Sequence, residues 1–438
     1  MCPPACFTST MNAAALEKAL ESRKGRTVLE SLYGVKPGAR DRQMSRYRDL
    51  LGRFQAAFPG AEGARMFSTP GRTEIGGNHT DHNGGRVLAA AVDLDAIAVA
   101  APTTDGLIVI ESDGYPRQEI RVDDLARRES ELSTATALTR GVAARMRETG
   151  GVVGGFRACV TSDVLNGSGL SSSASYEVLI GTILNHFCNA GRIGGVDIAL
   201  IAQYSENEYF GKPCGLMDQT TCALGGFVTI DFRDFTHPVV RAVRSAFSGS
   251  GYLPVIVNTG GSHADLTPEY AAVKQEMKDV AGYFGGSVLR DVSRERLLAD
   301  LARLREKVRD RAILRALHFF GDDTRVQHQV QALEEGRFED FLALVRESGR
   351  SSWTLLQNCY SIGSVGEQGV PIALALSEIF LEGAGAWRVH GGGFAGTVLA
   401  FVPDGKLAGY LAGMRAVFGQ DSCHALSIRS AGAVALDL

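Results

Sequence analysis

GSGLSSSASYEVLIG, residues 167–181, opens with two glycines around a serine, runs through three serines and an alanine, and then turns helical. From Ser175 onward the apolar residues Val178, Leu179, Ile183, Leu184 and Phe187 recur at helical spacing. A glycine loop that opens directly into a helix presents free backbone N–H groups and the positive end of the helix dipole. Such a site favours an anion, most often a phosphate. The hydroxyls add neutral donors and an oxygen ligand for Mg²⁺. Serine and glycine are also ordinary helix N-caps, so the rest of the chain decides between a phosphate cradle and a plain cap.

Just upstream, GGFRACVTSDV, 154–164, reads as a strand feeding the loop, and the helix after the loop ends near Gly191. A second helix over 196–209 carries Glu206 and Glu208. GKPCGLMDQ follows at 211–219, and GGFVTIDFRDF is strand-like. Towards the N-terminus, residues 1–60 alternate helical patterns with loops, and Leu50, Leu51, Phe54 and Phe58 form a helical stripe. FSTPGRTEIGGNHTDHNGGRVLAAAVDLDAIAVAAP, 67–102, is dense in glycine and polar groups and then strand-like over Ala96–Ala101. Thr104, Asp105 and Gly106 predict a hairpin turn into the strand LIVIES. RQEIRV alternates as a half-buried strand does, and a helix covers about 131–148.

Beyond about 231 the composition shifts. LPVIVNTG, 253–260, is a strand, and 268–283 and 294–319 are charged amphipathic helices, the latter with Leu297, Leu301, Leu304 and Val308 on one face. The basic run Arg290–Arg315 reads as solvated helix surface. More helix follows to about 358, and AWRVHGGGFAGTVLAFV, 386–402, is strand, glycine loop, strand. The class is α+β. The division falls near 230, giving units 1–230 and 231–438, with the last strand free to pack back on the first.

The bulk numbers exclude several functions. The chain has 438 residues, 45% hydrophobic and 21% charged, with net charge −4, as a protein of two or three domains does. No basic excess is present to hold a nucleic-acid backbone. Cys2, Cys6, Cys159, Cys188, Cys214, Cys222, Cys359 and Cys423 include no CxxC pair, which fits free thiols in a reducing compartment. The N-terminus lacks the pattern of a signal peptide, and no apolar run reaches the roughly 18 residues that span a bilayer. A cytoplasmic location without membrane or nucleic-acid partners is the expectation.

Three glycine-rich elements stand out, at 71–85, 167–175 and 391–396. GGGFAG, 391–396, formally matches a dinucleotide fingerprint, but a strand follows it where a helix is required. His390 and the glycines after it look like an esterase oxyanion loop, yet no G-x-S-x-G nucleophile elbow is present. His390 is therefore read as structural. HTDH, 79–82, lacks a further ligand cluster to complete a metal site. No Walker A string occurs.

In combination these elements carry a resemblance. GRTEIGGNHTDHNGG resembles the galactokinase signature. GSGLSSSAS is similar to the second motif of the GHMP kinases (galactokinase, homoserine, mevalonate and phosphomevalonate kinases), GGGFAG resembles their third, and CGLMDQ, 214–219, resembles the segment with their catalytic aspartate. The order is the family's, and the motifs are spread over about 67–402. The resemblance implies a two-domain GHMP kinase fold, a ribosomal-protein-like N-terminal domain and a ferredoxin-like C-terminal domain, with the active site in the cleft between them. It implies ATP and Mg²⁺ as co-substrate and cofactor, and a monomer or weak homodimer.

It also implies roles. Asp218 would take the proton of the sugar's anomeric hydroxyl, with Arg72 against it and against the transferring phosphoryl. Gly167, Ser168, Gly169, Leu170, Ser171, Ser172, Ser173 and Ala174 would hold ATP. Ser173 and Glu206 would ligate Mg²⁺. Asn78, His79, Asp81, Gly215 and Tyr270 would face the sugar. The chemistry needs such a set, because phosphoryl transfer is mostly positioning plus neutralisation of oxygens, and arginine supplies planar donors to the transferring group.

The implied reaction is transfer of the ATP γ-phosphate to O1 of galactose. The pattern departs at Asn78, where the family usually has a glutamate near C6 of the sugar, and at Thr73, Glu74 and His82. The loss of that charge leaves galactose as acceptor, or admits a sugar with another C6 or C2 substituent, such as galacturonate or N-acetylgalactosamine. A non-catalytic sugar sensor is the competing class, and Arg72, Ser173, Glu206 and Asp218 argue against it.

Overall fold

The computed structural model describes residues 13–34, 38–164, 169–261 and 266–438. Among them the strands are β1 (Arg65–Gly76), β2 (Arg86–Thr103), β3 (Leu107–Ser112), β4 (Gln118–Arg121), β5 (Gly155–Ser162), β6 (Phe227–Asp231), β7 (Val239–Val243), β8 (Tyr252–Asn258), β9 (Ala386–Val389), β10 (Thr397–Pro403), β11 (Cys423–Ala425) and β12 (Val434–Ala435). They form two sheets. The first has the order β12-β1-β2-β5-β3-β4, and the second, antiparallel throughout, β11-β8-β10-β9. β2 serves two partners on one side: its later half pairs with β5 and its earlier half with β6, which carries β7 at its edge.

The unbroken apolar run of β2 is explained by burial on both faces. Ala96, Ala98 and Ala100 pack under the helices Ala135–Glu148, Ser172–Asn189 and Gly195–Tyr204. Ile97, Val99 and Ala101, one residue out of phase, pack under the N-terminal helices Ala13–Glu21, Arg23–Tyr33 and Ala39–Ala57. Leu50, Leu51 and Phe54 of the predicted stripe lie in that second layer. A third core joins the sheets: Ile75, Leu88 and Ala90 of the first meet Ile256, Leu399 and Phe401 of the second, with Phe227, Phe247 and Phe341 in edge contact.

Several expectations are corrected. The turn at 104–106 forms, with Asp105 Oδ1 accepting from Leu107 N at 3.0 Å, but it closes no hairpin. β5 lies between β2 and β3, and β3 pairs with β5 in parallel. Turn chemistry is local, whereas the choice of strand partner is not. The helix expected over 294–319 is broken into Arg294–Ala299, Leu301–Arg305 and the start of Asp310–Glu334, although Leu297, Leu301, Leu304 and Val308 still share one cluster. Arg315 is not solvated: it is 0% exposed and pairs with Glu276 at 2.9 Å. β6 and β7 carry the first sheet on to Val243, and β12 returns to pair with β1. No helix of the described residues is long and apolar enough to cross a membrane.

The returning tail threads closely past the first sheet. Gly226 N donates to Arg429 O at 2.8 Å, and Arg429 N donates to Ala91 O at 3.0 Å. Gly225 has φ +76°, and a Cβ there would lie 2.2 Å from Gly432 N, so both the backbone conformation and the approach require glycine. Gly225→Ala is expected to destabilise the fold by roughly 1–3 kcal/mol, read as a lower denaturant midpoint. An unchanged midpoint would show that the tail can move aside freely.

Candidate active site

β1 brings the first glycine-rich stretch to the middle of the first sheet. The pairing of β1 with β2 slips between Pro70 and Arg72 and again between Glu74 and Gly76. Such bulges re-aim side chains, and they bracket Arg72 and Glu74. Gly71 lets the phosphate-loop candidate come close: a Cβ there would lie 2.9 Å from Leu170 O, and Arg72 N donates to that carbonyl at 3.1 Å.

Arg72 then reaches Asp218, 146 residues away, with Nε and Nη2 donating to Oδ1 at 2.9 and 2.7 Å. Its Nη1 donates to the Gly169 carbonyl. The Ser171 hydroxyl donates to Asp218 Oδ2. Burial opposes the Arg72 charge, but the Asp218 carboxylate overrides it, so the Arg72 pKa sits above its ordinary value. Asp218 stands in the first turn of the helix Met217–Leu224, with its side chain 29% exposed. The guanidinium, the carboxylate and the loop therefore form one cluster.

The helix Ser172–Asn189 begins at Ser171, which has φ +61° and makes no side-chain cap. That hydroxyl is committed to Asp218, and the first N–H groups of the helix carry no side-chain cap from it. Leu170 and Ala174 are fully buried. Gly167 and Ser168 lie outside the described residues. Ser172 and Ser173 border a cavity of 350 Å³ lined also by Tyr115, Tyr176, Phe210 and Leu138, which nothing in the sequence pattern singled out.

Ser173 donates to Glu206 Oε1 at 2.9 Å. The helix Gly195–Tyr204 widens into a π-turn over Ser205–Phe210. Such insertions often mark functional sites. Here Glu206 is buried and Glu208 is exposed, which separates the two acidic residues. Lys212 Nζ and Gln219 Nε2 donate to Glu206 at 3.2 and 2.8 Å. A hydroxyl and a carboxylate are hard oxygen donors, and two protein ligands completed by phosphate and water are what Mg²⁺ commonly takes, so the pair fits that ion. Among the described residues no group of three or more His, Cys, Asp or Glu forms a protein-only metal site.

The turn after β1 carries the expected sugar residues. Asn78 is 0% exposed. Its Nδ2 donates to Glu74 Oε1 at 2.9 Å and to Gly391 O at 2.7 Å. Its Oδ1 accepts from Asn358 Nδ2 at 2.8 Å and Ser352 Oγ at 3.2 Å. The amide hydrogen and oxygen positions are all engaged, across the two halves of the chain. His79, at φ +58°, hydrogen-bonds the Gly392 carbonyl through Nε2 at 2.9 Å and stacks near Tyr270. Tyr270 donates to Gly393 O at 3.1 Å. Asp81 pairs with His82 at 3.2 Å and adjoins Gly215, whose Cβ position would be 3.1 Å from Asp81 Oδ2. Both border a cavity of 520 Å³. His390 bridges Thr73 and Thr397 at 3.0 Å each, tying the first and third glycine elements together.

Burial first, and then the neighbouring His82, lower the His79 pKa to about 4. The unfolded chain therefore binds a proton that the folded chain refuses between about 6.5 and 4. Stability from this residue is full above that window and is lost as pH falls through it. His79→Gln is expected to flatten the decline of melting temperature between pH 6.5 and 4; equal slopes in the two proteins would contradict the assignment.

With this geometry in view, comparison with known proteins is informative. Residues 52–102 match the galactokinase galactose-binding signature, and residues 137–226 the GHMP kinases N terminal domain. The galactokinase of Streptomyces coelicolor is 32% identical over 356 residues, covering 80% of this chain and 87% of that one. The chain belongs to the galactokinase family. The family's Glaesserella parasuis galactokinase is 30% identical over 363 residues, 81% of this chain and 89% of that one. In fold, the chain is similar to Lactococcus lactis galactokinase complexed with galactose, with TM-score 0.73 and 22% identity over 88% of this chain and 98% of that one. It is also similar to Methanococcus jannaschii mevalonate kinase, with TM-score 0.61 and 15% identity over 84% and 99%. Membership makes the chain an ATP-dependent sugar kinase of GHMP type with the two-domain fold.

Two residues of this cluster were given no role by the sequence reading, Glu74 and Gln219, and the Ser171–Asp218 link was not foreseen. For Glu74 a signal existed. It lies two residues after Arg72 on a strand, and a strand's period of two puts both on one face.

Proposed function

We propose that the protein transfers the γ-phosphate of ATP to the anomeric O1 hydroxyl of galactose, giving galactose 1-phosphate and ADP. The observation that carries this reading is the joining of Arg72, Asp218 and Ser171 at the mouth of the 169–174 loop. Asp218 takes the hydroxyl proton or orients it for transfer, and an anomeric hydroxyl is the most acidic of a sugar. Arg72 holds the carboxylate with Nε and Nη2, and its planar donors suit the charge of the transferring group. The start of the helix Ser172–Asn189 receives phosphate, and the aromatic-lined cavity beside Ser172 suits a nucleotide base. Ser173 and Glu206 would hold Mg²⁺, whose charge neutralises the phosphate oxygens. His79, Asp81, Gly215 and Tyr270 line the sugar side.

Residues 1–230 supply the nucleotide and transfer groups, and 231–438 supply Tyr270 and the third glycine loop that close the cleft. The six described cysteines are free thiols, which supports a reducing, cytoplasmic setting. The test is galactose-dependent ADP release with phosphorus NMR of the product. A phosphorus signal coupled to the anomeric proton is expected. ADP release that ignores galactose, or a phosphate on another carbon, would refute the reading.

A further inference from the structure

We propose that Lys212 is a phosphate-binding residue that exchanges partners: its ammonium pairs with Glu206 until a divalent cation takes that carboxylate, and then turns to the triphosphate that arrives with the cation. The inference rests on the reading above of Ser173 and Glu206 as the Mg²⁺ pair and of the start of the helix Ser172–Asn189 as the phosphate seat. The local chain explains how the lysine comes to this place. The π-turn over Ser205–Phe210 ends at Gly211, whose φ of 86° lies in the left-handed region, where glycine ends a helix without steric cost. The chain reverses there, and Gly211 N and Lys212 N both donate to Glu206 O at 3.1 Å. Lys212 therefore starts from backbone that is bonded to Glu206 itself.

The side chains meet on one atom. Lys212 Nζ donates to Glu206 Oε1 at 3.2 Å, and Ser173 Oγ donates to the same oxygen at 2.9 Å. The other oxygen, Oε2, is held by Gln219 Nε2 at 2.8 Å. Oε1 is thus the oxygen that a cation bound by both Ser173 and Glu206 would share. A divalent cation and an ammonium on one oxygen repel each other, so ligation there displaces the lysine. Among the described residues Glu206 is its one ion-pair partner, and the side chain is 64% exposed, so it is free to swing on its flexible four-carbon stem. Arg72, by contrast, is pinned, with Nε and Nη2 on Asp218 and Nη1 on the Gly169 carbonyl. The displaced ammonium stands beside Ser173, in the first turn of the helix Ser172–Asn189. An anion seated at that helix start is its nearest new partner, and a lysine binds phosphate oxygens as a compact point charge.

The experiment uses the unaltered protein, Lys212→Met, which keeps the length and removes the charge, and Lys212→Arg, which keeps the charge. Calorimetry without sugar reads the binding of ATP in Mg²⁺ and in EDTA, and electron paramagnetic resonance reads the binding of Mn²⁺ without nucleotide. In Lys212→Met the affinity for ATP in Mg²⁺ is expected to fall roughly 10- to 100-fold, the worth of a hydrogen bond to a charged group. The loss in EDTA should be smaller, because without a divalent cation the lysine stays on Glu206. Mn²⁺ alone should bind about two- to fivefold tighter, since the competing ammonium is gone. Lys212→Arg is expected to recover most of the affinity for ATP in Mg²⁺. Tighter Mn²⁺ with unchanged binding of ATP in Mg²⁺ would make Lys212 a counter-ion of Glu206 alone and overturn the proposal. An equal loss of ATP affinity in Mg²⁺ and in EDTA would overturn the exchange. ATP that fails to bind the unaltered protein would instead overturn the phosphate reading of the helix start, and this inference with it.

Discussion

Asp218→Asn is expected to lower kcat by about 10²- to 10⁴-fold in a protein that still folds. The side chain keeps its shape, and its Oδ1 can still accept from Arg72 at the 2.7–2.9 Å now seen. It loses the charge that balances the buried guanidinium and the oxygen that accepts from Ser171. Because Asp218 is 29% exposed on its side chain, water reaches the pair and softens the cost of that loss. ATP binding, which the proposed function gives to the loop and the start of the helix Ser172–Asn189, is expected to persist. The loss should therefore appear in kcat far more than in KM for ATP, the mark of an interaction made in the transition state. Arg72→Ala is expected to produce a loss of similar size, and the double variant little more than either alone, since the two act as a unit. A kcat for Asp218→Asn within about threefold of the unaltered enzyme would remove Asp218 from the chemistry, since general acid–base catalysis is worth far more.

The largest stability effect is expected at Asp95, far along β2 from this cluster in sequence but central to the fold. Asp95 is 0% exposed and pairs with Arg46 at 2.5 Å and Arg429 at 3.0 Å. It also accepts from Tyr33 at 2.5 Å and from Ser68. Burial pushes its pKa up, but the two arginines and the hydroxyls overcome this and hold it below the ordinary carboxylate range. One carboxylate thereby joins two N-terminal helices, β1, β2 and the returning tail. Asp95→Ala leaves Arg429 fully buried and Arg46 nearly so, with no counter-charge. Breaking a buried pair from one side costs roughly 3–5 kcal/mol, to be read from urea unfolding. The sign with pH is also set: a lowered carboxylate pKa contributes stability that is present above the unfolded value and lost as pH falls through the folded one. The acid limb of the stability curve should flatten in the variant. A change below about 1 kcal/mol would mean that the hub is relaxed by water or by rearrangement.

Short-range chemistry was legible along the chain. Glycine and serine before an apolar helical pattern announce a loop opening into a helix, and Ser172–Asn189 follows. Alternation and apolar runs announce β2, β5, β8 and β10. The strand after GGGFAG, which argues against a dinucleotide site, is β10. The resemblance brought Arg72 and Asp218 together before any coordinates did. Residues that met expectation did so because their signal is carried within a few positions by backbone sterics and periodicity, which do not depend on the rest of the molecule.

What only the tertiary structure decided are matters of closure. Asn78 and Asn358 are 280 residues apart, and their contact engages the Asn78 amide oxygen. Arg315 looked like a surface charge until Glu276 was found beside it. The insertion of β5 between β2 and β3 keeps those two strands from pairing as a hairpin, and β3 pairs with β5 in parallel instead. In each case the free energy of a polar group depends on which distant partner shares its dry environment, and sequence spacing carries no record of that partner. Composition, periodicity and motif therefore determined the class of fold and the family of chemistry, whereas the hydrogen-bond partners of Glu74 and Asn78 were decided by how the two halves of the chain fold against each other.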